Sequence, residues 1–232
     1  MSAGGTEIIG RDTALRRLVD VVCAAALLAG LAPLLAVIAV AVRLDSPGPI
    51  CYRALRVGRD GKTFRMLKFR SMQPDADRLG PGVSGRDDPR VTHMGRVLRS
   101  TKFDELPQLL NVLHGTMTLV GPRAEAPRYL LYYTAQERQL VMVRPGVTGP
   151  GQLAFTLRQA AELDGVSDPD RHYIEHQLHG KLALDLDYLR ERRLRRDVEI
   201  LATTIGLVVR TTMRLMARTT HGPTGEPPAL LQ

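Results

Sequence analysis

Tryptophan is absent and only 4% of the residues are aromatic, too few for the base-stacking platforms by which proteins hold single-stranded nucleic acid. Cysteine is nearly absent too. Cys23 in an apolar run and Cys51 beside a turn give no disulfide framework and no metal-ligand spacing, so nothing demands an oxidising compartment. The acids Asp75, Asp77, Asp87 and Asp88 lack the order of an EF-hand loop, which makes them a solvated segment and not a calcium site. Negative charge is in deficit: 24 Asp and Glu face 32 Lys and Arg, a formal charge of +8. That surplus asks for an anionic partner, whether nucleic acid, phosphates or anionic lipid.

What is present first is an apolar run, Val21 to Val42, free of charge. Its twenty-two residues cover about 33 Å as a helix, enough for a hydrocarbon core. It is too long for a signal peptide, and Arg43 and Asp45 stand where a small-residue cleavage site would be. Basic residues flank both ends: Arg11, Arg16 and Arg17 before, Arg43, Arg53, Arg56 and Arg59 after. Such flanks stay on the cytoplasmic side. A straight span would expose one of them outside, whereas a helix broken at Pro33 that dips into one leaflet and returns keeps both inside. A tilted span kinked at the proline is the alternative.

The chain is centred on Arg99 to Glu125. Leu106, Leu109, Leu110 and Leu113 have the spacing of one helical face, with Gly115 at the C-cap position. Pro107 is tolerated only in a first turn, so this helix starts near Asp104. Asp104 and Glu105 then lie at its positive end, which favours ionised carboxylates by about 0.3–1 kcal/mol. Both acids could simply cap the helix. Against that bland reading, Arg99, Lys102 and Arg123 surround them, and Gly121-Pro122-Arg123 is a rigid turn presenting a guanidinium suited to phosphate.

Elsewhere, Asp45-Ser-Pro-Gly-Pro closes the apolar helix. Ile50 to Val57 and Thr63 to Arg70 read as a hairpin, with Phe64, Met66, Lys68 and Arg70 on one face. Gln73 to Arg90 reads as a mobile lid, and a helix is predicted over Ala126 to Val141. Arg144-Pro-Gly-Val-Thr-Gly is a glycine turn carrying an arginine. His172, His176 and His179 share a helical face with Glu175, a pattern that exposed histidines explain more simply than zinc does. Lys181 to Arg218 reads as one amphipathic helical stretch, with Val198, Leu201, Ile205 and Val208 on a face and Arg210, Arg214 and Arg218 recurring every fourth residue. It suits either core packing or the membrane interface.

With these residues in place the sequence resembles the bacterial sugar transferases, the monotopic phosphoglycosyl transferases. The resemblance rests on Asp104-Glu-Leu-Pro-Gln-Leu-Leu-Asn-Val-Leu, Leu119-Val-Gly-Pro-Arg, Asp45-Ser-Pro-Gly-Pro, Lys68-Phe-Arg-Ser-Met and Arg144-Pro-Gly-Val-Thr-Gly, and runs from about Arg16 to Arg210. It implies a mainly helical α+β fold with a re-entrant helix-break-helix anchor, a small β-hairpin and a catalytic domain with amphipathic interfacial helices. The organisation expected is a disordered N-terminus (1–15), a membrane-embedded helix (16–44), a catalytic domain (45–218) and a disordered tail (219–232). The implied reaction moves a sugar 1-phosphate from a nucleotide sugar, a UDP-sugar, onto polyprenyl phosphate at the cytoplasmic face of the bacterial inner membrane, through an aspartyl phosphosugar. It is the first membrane step in building an exopolysaccharide or other glycoconjugate.

Asp104 would be the nucleophile and a Mg²⁺ ligand, and Glu105 would help deprotonate or position the lipid phosphate, or share the metal. Lys68, Arg70, Arg99, Arg123 and Arg144 would contact the anionic substrates. A homodimer is compatible with the resemblance, and nucleic acid is not a partner. The family's Ser before the anchor proline is Ala32 here. An Asn-Gly-Arg triplet common in relatives is replaced by Ala154-Phe155-Thr156, which leaves Arg158 as the nearby substitute. A rival of another class is a non-catalytic, membrane-anchored basic protein holding anionic lipid or polymer.

Overall fold

The computed structural model describes residues 12–76, 80–85, 87–155 and 159–220. Expectations for residues 1–11 and 221–232, and the substitution of Arg158, lie outside that range. Helix α1, Ala14–Asp45, is capped at its start by the Thr13 hydroxyl, which accepts from the Arg16 amide. It runs on without interruption through Pro33, so the expected break is a proline within one helix and not a loop between two. One face of α1 is exposed apolar surface, including Leu18, Val22, Leu27, Val37, Val40 and Leu44.

Both ends of α1 are fastened to the same globular body. Near the start, Arg17 donates to the carbonyls of Val112 and Leu113, and Asp20 accepts from the Thr118 hydroxyl and the Leu119 amide. Near the end, Arg70 donates to the carbonyls of Val42 and Ser46, and Asp45 accepts from the Met94 amide. Packing follows the same division. Ala24 and Leu28 join the main core, while Ile38 and Val42 form a second cluster with Phe69 and Leu98.

The hairpin is present as β1, Cys51–Val57, and β2, Thr63–Phe69, antiparallel with Cys51 opposite Phe69 and Val57 opposite Thr63. The loop closes through Asp60 and Gly61, both at positive φ. Helix α2, His93–Thr101, starts from a Thr92 cap that accepts from Gly95 and ends in a left-handed Lys102 (φ 65°). After a 3₁₀ turn at Phe103–Glu105 comes α3, Gln108–His114, closed by Gly115 at φ 80°. The helix thus ends at the predicted glycine but begins four residues later than Asp104.

The buried face of α3 also differs from the leucine stripe: Leu110 is 39% exposed while Gln108, Leu109, Asn111 and Val112 are buried. Asn111 explains the shift. Its Oδ1 accepts from the Leu67 amide (2.8 Å) and its Nδ2 donates to the Arg65 carbonyl (2.9 Å). The side chain therefore serves as a partner strand along the free edge of β2, which would otherwise offer unpaired backbone groups.

Two further readings are corrected. Ala126 to Val141 is not one helix but two 3₁₀ segments, Pro127–Tyr132 and Glu137–Met142. They are divided at Thr134, whose amide is held by Glu137 while its hydroxyl accepts from the Glu137 amide, a reciprocal cap that starts a new segment. The Arg144 glycine turn is in part a strand. β4, Gly146–Thr148, pairs in parallel with β3, Thr118–Val120. A Cβ at Gly121, Gly146 or Gly149 would overlap the backbone of the neighbouring segment, so these glycines allow main chain to lie on main chain.

The remaining helices are α4, Pro150–Phe155; α5, Gln159–Glu162; α6, Pro169–Tyr173; α7, His179–Arg190; and α8, Leu194–Thr220, with a π segment at Ile174–Leu178 between α6 and α7. The stretch predicted as one helix from Lys181 is therefore two. In α8, Val198, Ile205, Val209, Met213 and Met216 are exposed while Ile200 is buried, so the predicted Val198 and Ile205 positions face outward. α1 and α8 are both long and apolar enough to cross a membrane.

Candidate active site

The left-handed Lys102 turns the chain between α2 and the 3₁₀ segment, and the two acids of that segment are carried inward. Asp104 is 6% and Glu105 is 7% exposed. Their surroundings differ. Glu105 is engaged on both oxygens: Oε1 lies 2.9 Å from Lys68 Nζ and 3.6 Å from a guanidinium nitrogen of Arg123, and Oε2 accepts from Gln152 Nε2 at 3.0 Å. Burial alone would raise its pKa, but Lys68, Arg123 and Lys102 overcome that and hold it well below the usual carboxylate range.

Among the described residues Asp104 Oδ1 has no hydrogen-bond partner, although it is enclosed. Burial raises its pKa, Lys68 pulls it down, and Glu105 pushes it up again. The helix-end argument gave the opposite direction. It fails because a carboxyl enclosed in a 3₁₀ turn loses more hydration than a neighbouring helix terminus returns. The pair thus has a division of character: a fixed anion at Glu105 and a proton-accepting, partly unengaged group at Asp104.

Of the proposed anion contacts, the structure brings Lys68 (on β2) and Arg123 (in the turn after β3) onto Glu105. Arg99, in the last turn of α2, bonds Ser84 Oγ and has its NH1 enclosed without a partner. Its charge reaches Asp104 and lowers its pKa. Arg70 and Arg144 are elsewhere. Arg70 caps the end of α1 through Val42 and Ser46. Arg144 bonds the Gly115 carbonyl at the far end of α3 and pairs with Asp12 at 3.0 Å. Pro33 belongs to the anchor and contributes no polar group. The expected lid, in its described part, is tied down: Arg90 bonds Asp88 and the carbonyls of Ala76 and Pro81, and Asp170 accepts from the amides of Gly82 and Val83.

Sequence reasoning missed several buried polar groups. Gln152 follows a glycine turn with no periodicity to mark it. Asp185, on α7, accepts from the Gly151 amide (2.9 Å) and the Arg123 amide (3.0 Å). Burial pushes its pKa up to about 6. Behind Arg123, Glu125 accepts from Tyr173 Oη (2.7 Å) and lies 3.4 Å from Lys181 Nζ. Acids spaced along an amphipathic helix give no hint of which one turns inward. The three histidines do not converge: His172 stacks on His176 with centroids 4.4 Å apart, and His179 pairs with Glu137.

Among the described residues no group of three or more His, Cys, Asp or Glu forms a metal cage. Mg²⁺ does not need one, since it binds through one or two carboxylates plus substrate phosphate. The unpartnered Asp104 oxygen fits that requirement. An unengaged carboxylate flanked by buried cations is suited to nucleophilic attack on an anionic phosphorus centre.

The sequence profile described as bacterial sugar transferase matches residues 11–211. The UDP-glucose:undecaprenyl-phosphate glucose-1-phosphate transferase of Caulobacter vibrioides is 41% identical over 195 residues, covering 82% of this chain and 68% of that protein. A protein of the same name from Escherichia coli is 35% identical over 207 residues, covering 86% of this chain but 41% of that protein. The exopolysaccharide production protein PSS of Rhizobium leguminosarum bv. phaseoli is 36% identical over 201 residues, 84% of this chain and 94% of that protein.

Proposed function

Because the chain belongs to the bacterial sugar transferase family and is a phosphoglycosyl transferase, we propose that it moves a sugar 1-phosphate from a UDP-sugar to undecaprenyl phosphate through a covalent adduct on Asp104. The reaction opens the assembly of an exopolysaccharide or related glycan. The observation that carries the covalent step is the contrast within the acid pair: Glu105 is saturated by Lys68, Arg123 and Gln152, whereas Asp104 keeps an oxygen free of partners.

In the first half-reaction an Asp104 carboxylate oxygen attacks the sugar-bearing phosphorus. The bond to the bridging oxygen breaks, and uridine monophosphate departs with the electron pair. In the second half-reaction an oxygen of undecaprenyl phosphate attacks the same phosphorus, and Asp104 leaves as a carboxylate. Lys68, Arg123 and Arg99 offset the charge on the transferred phosphoryl oxygens. Glu105 orients Lys68 and Arg123 and the incoming lipid phosphate. Asp104 would hold a Mg²⁺ ion, and the chemistry such an ion would supply there is neutralisation of the donor's diphosphate charge. Because burial raises the Asp104 pKa, the nucleophile gains activity as pH rises.

The anchor is proposed to dip into the cytoplasmic leaflet of the inner membrane and return. The fastening of both ends of α1 to one globular body supports this, since a spanning helix would leave one end across the bilayer. Exposed Val198, Ile205, Val209, Met213 and Met216 suit α8 to the same interface.

The deciding experiment incubates full-length protein in lipid nanodiscs with each of a panel of UDP-sugars, without acceptor, followed by intact-protein mass spectrometry. The expected result is a sugar-phosphate adduct that Asp104→Asn abolishes together with turnover. Turnover retained by Asp104→Asn overturns the covalent scheme. A cysteine reporter at position 2 that is labelled only from the periplasm overturns the re-entrant anchor.

A further inference from the structure

Asp185 touches neither acid of the pair, yet both of its oxygens are committed to segments that do. Oδ1 accepts from the Gly151 amide at 2.9 Å and Oδ2 from the Arg123 amide at 3.0 Å. The residue after Gly151 is Gln152, which bonds Glu105 Oε2, and Arg123 itself faces Glu105 Oε1. Two of the three side chains that hold Glu105 therefore stand on backbone pinned by a single buried carboxylate. The third, Lys68, arrives on β2 with no link to Asp185.

The packing around this carboxylate permits little drift. Asp185 is 1% exposed. A Cβ on Gly151 would lie 2.5 Å from the Lys181 carbonyl and 3.0 Å from Asp185 Oδ1, and one on Gly149 would lie 3.5 Å from Oδ1. Helix α7 thus meets the Gly151 turn at main-chain distance and reaches Gly149 and the Arg123 amide through the Asp185 carboxylate. Only an acceptor with two oxygens suits the place. Asparagine would satisfy one amide and present its own N–H₂ to the other. Burial, reinforced by Glu125, pushes its pKa up to about 6, and the two amides and Lys181 oppose that shift.

We infer that Asp185 is a positioning residue, which sets the separation of the Arg123 and Gln152 turns so that both side chains converge on Glu105. The inference rests on the reading of Asp104 and Glu105 as the catalytic pair, but its first test does not. Hydrogen–deuterium exchange of the full-length protein in nanodiscs is compared for wild type and Asp185→Asn. Faster exchange is expected in peptides spanning 121–124 and 150–153, with β1 and β2 unchanged. No change in either peptide overturns the inference, and a change that extends to β1 and β2 overturns it in favour of a merely structural role.

The second test measures uridine monophosphate release from UDP-glucose with undecaprenyl phosphate for Asp185→Asn, Gln152→Ala and the double variant. Each single change should lower kcat about 10- to 100-fold with KM for the donor within about threefold, and the double variant should be no worse than about the weaker single. Losses that multiply, or that fall on KM alone, overturn the inference. Wild-type protein that releases no uridine monophosphate from any UDP-sugar would sink the proposed reaction while leaving the exchange result standing.

Discussion

Replacing Lys68 by Met tests the electrostatics of the acid pair at its strongest contact. The ammonium lies 2.9 Å from Glu105 Oε1, with the two side chains 16% and 9% exposed. At an effective dielectric of about 20, two unit charges at that separation attract by about 6 kcal/mol. Much of this is offset by the cost of burying both ions, and breaking a buried pair from one side costs about 3–5 kcal/mol. Arg123 and Gln152 remain on the carboxylate, so the lower end of that range applies, about 3 kcal/mol.

The pH dependence follows from the direction of the shift. The folded-state pKa of Glu105 is held well below its ordinary value of 4.5, against burial and chiefly by Lys68. Its contribution to stability is present above about pH 4.5 and is lost as pH falls through the folded value. The stability gap between wild type and Lys68→Met should therefore be full from about pH 7 down to about pH 4.5 and shrink as pH is lowered further, as read by thermal unfolding in nanodiscs. Lys68 is also the largest lowering influence on Asp104. Its removal should move the acidic limb of the pH–rate profile to higher pH, each unit of displacement being a tenfold loss at a fixed pH on the limb. A gap that is constant with pH, together with an unmoved limb, refutes the reasoning.

Asn111→Ala should cost about 1–3 kcal/mol, because it strands the Leu67 amide and the Arg65 carbonyl on the part-buried edge of β2; the melting temperature checks this. Gly95→Ala places a methyl against the Ser71 carbonyl and should destabilise α2 by at least about 3 kcal/mol, seen as loss of folded protein on size-exclusion chromatography. Deleting residues 1–46 should yield insoluble protein and not a soluble catalytic domain. The deletion takes Ala24 and Leu28 from the main core and Ile38 and Val42 from the second cluster, and fractionation after expression reads the outcome.

The hairpin, the apolar helix and the Gly115 stop were legible because each follows from local chemistry: alternation, length without charge, and a residue free to adopt positive φ. Lys68, Asp104, Glu105 and Arg123 could be named in advance as charged groups near glycine and proline turns. Their convergence on one point could not. Arg70 and Arg144 carry the same local signal, yet the fold uses them to cap α1 and α3. A guanidinium looks the same in sequence whether it faces a substrate phosphate or a helix's last carbonyls.

The chain alone determined that a helix with a long uncharged apolar run, a β-hairpin and an acid pair beside cations would exist, since propensity, periodicity and turn chemistry act over a few residues. Only the tertiary structure decided which acid keeps an unpartnered oxygen, that Gln152 reaches Glu105 and Asp185 holds the Gly151 and Arg123 amides, and that both ends of α1 are fastened to one globular body. Those outcomes depend on desolvation and on contacts between residues 30 to 180 positions apart, and no local pattern encodes either.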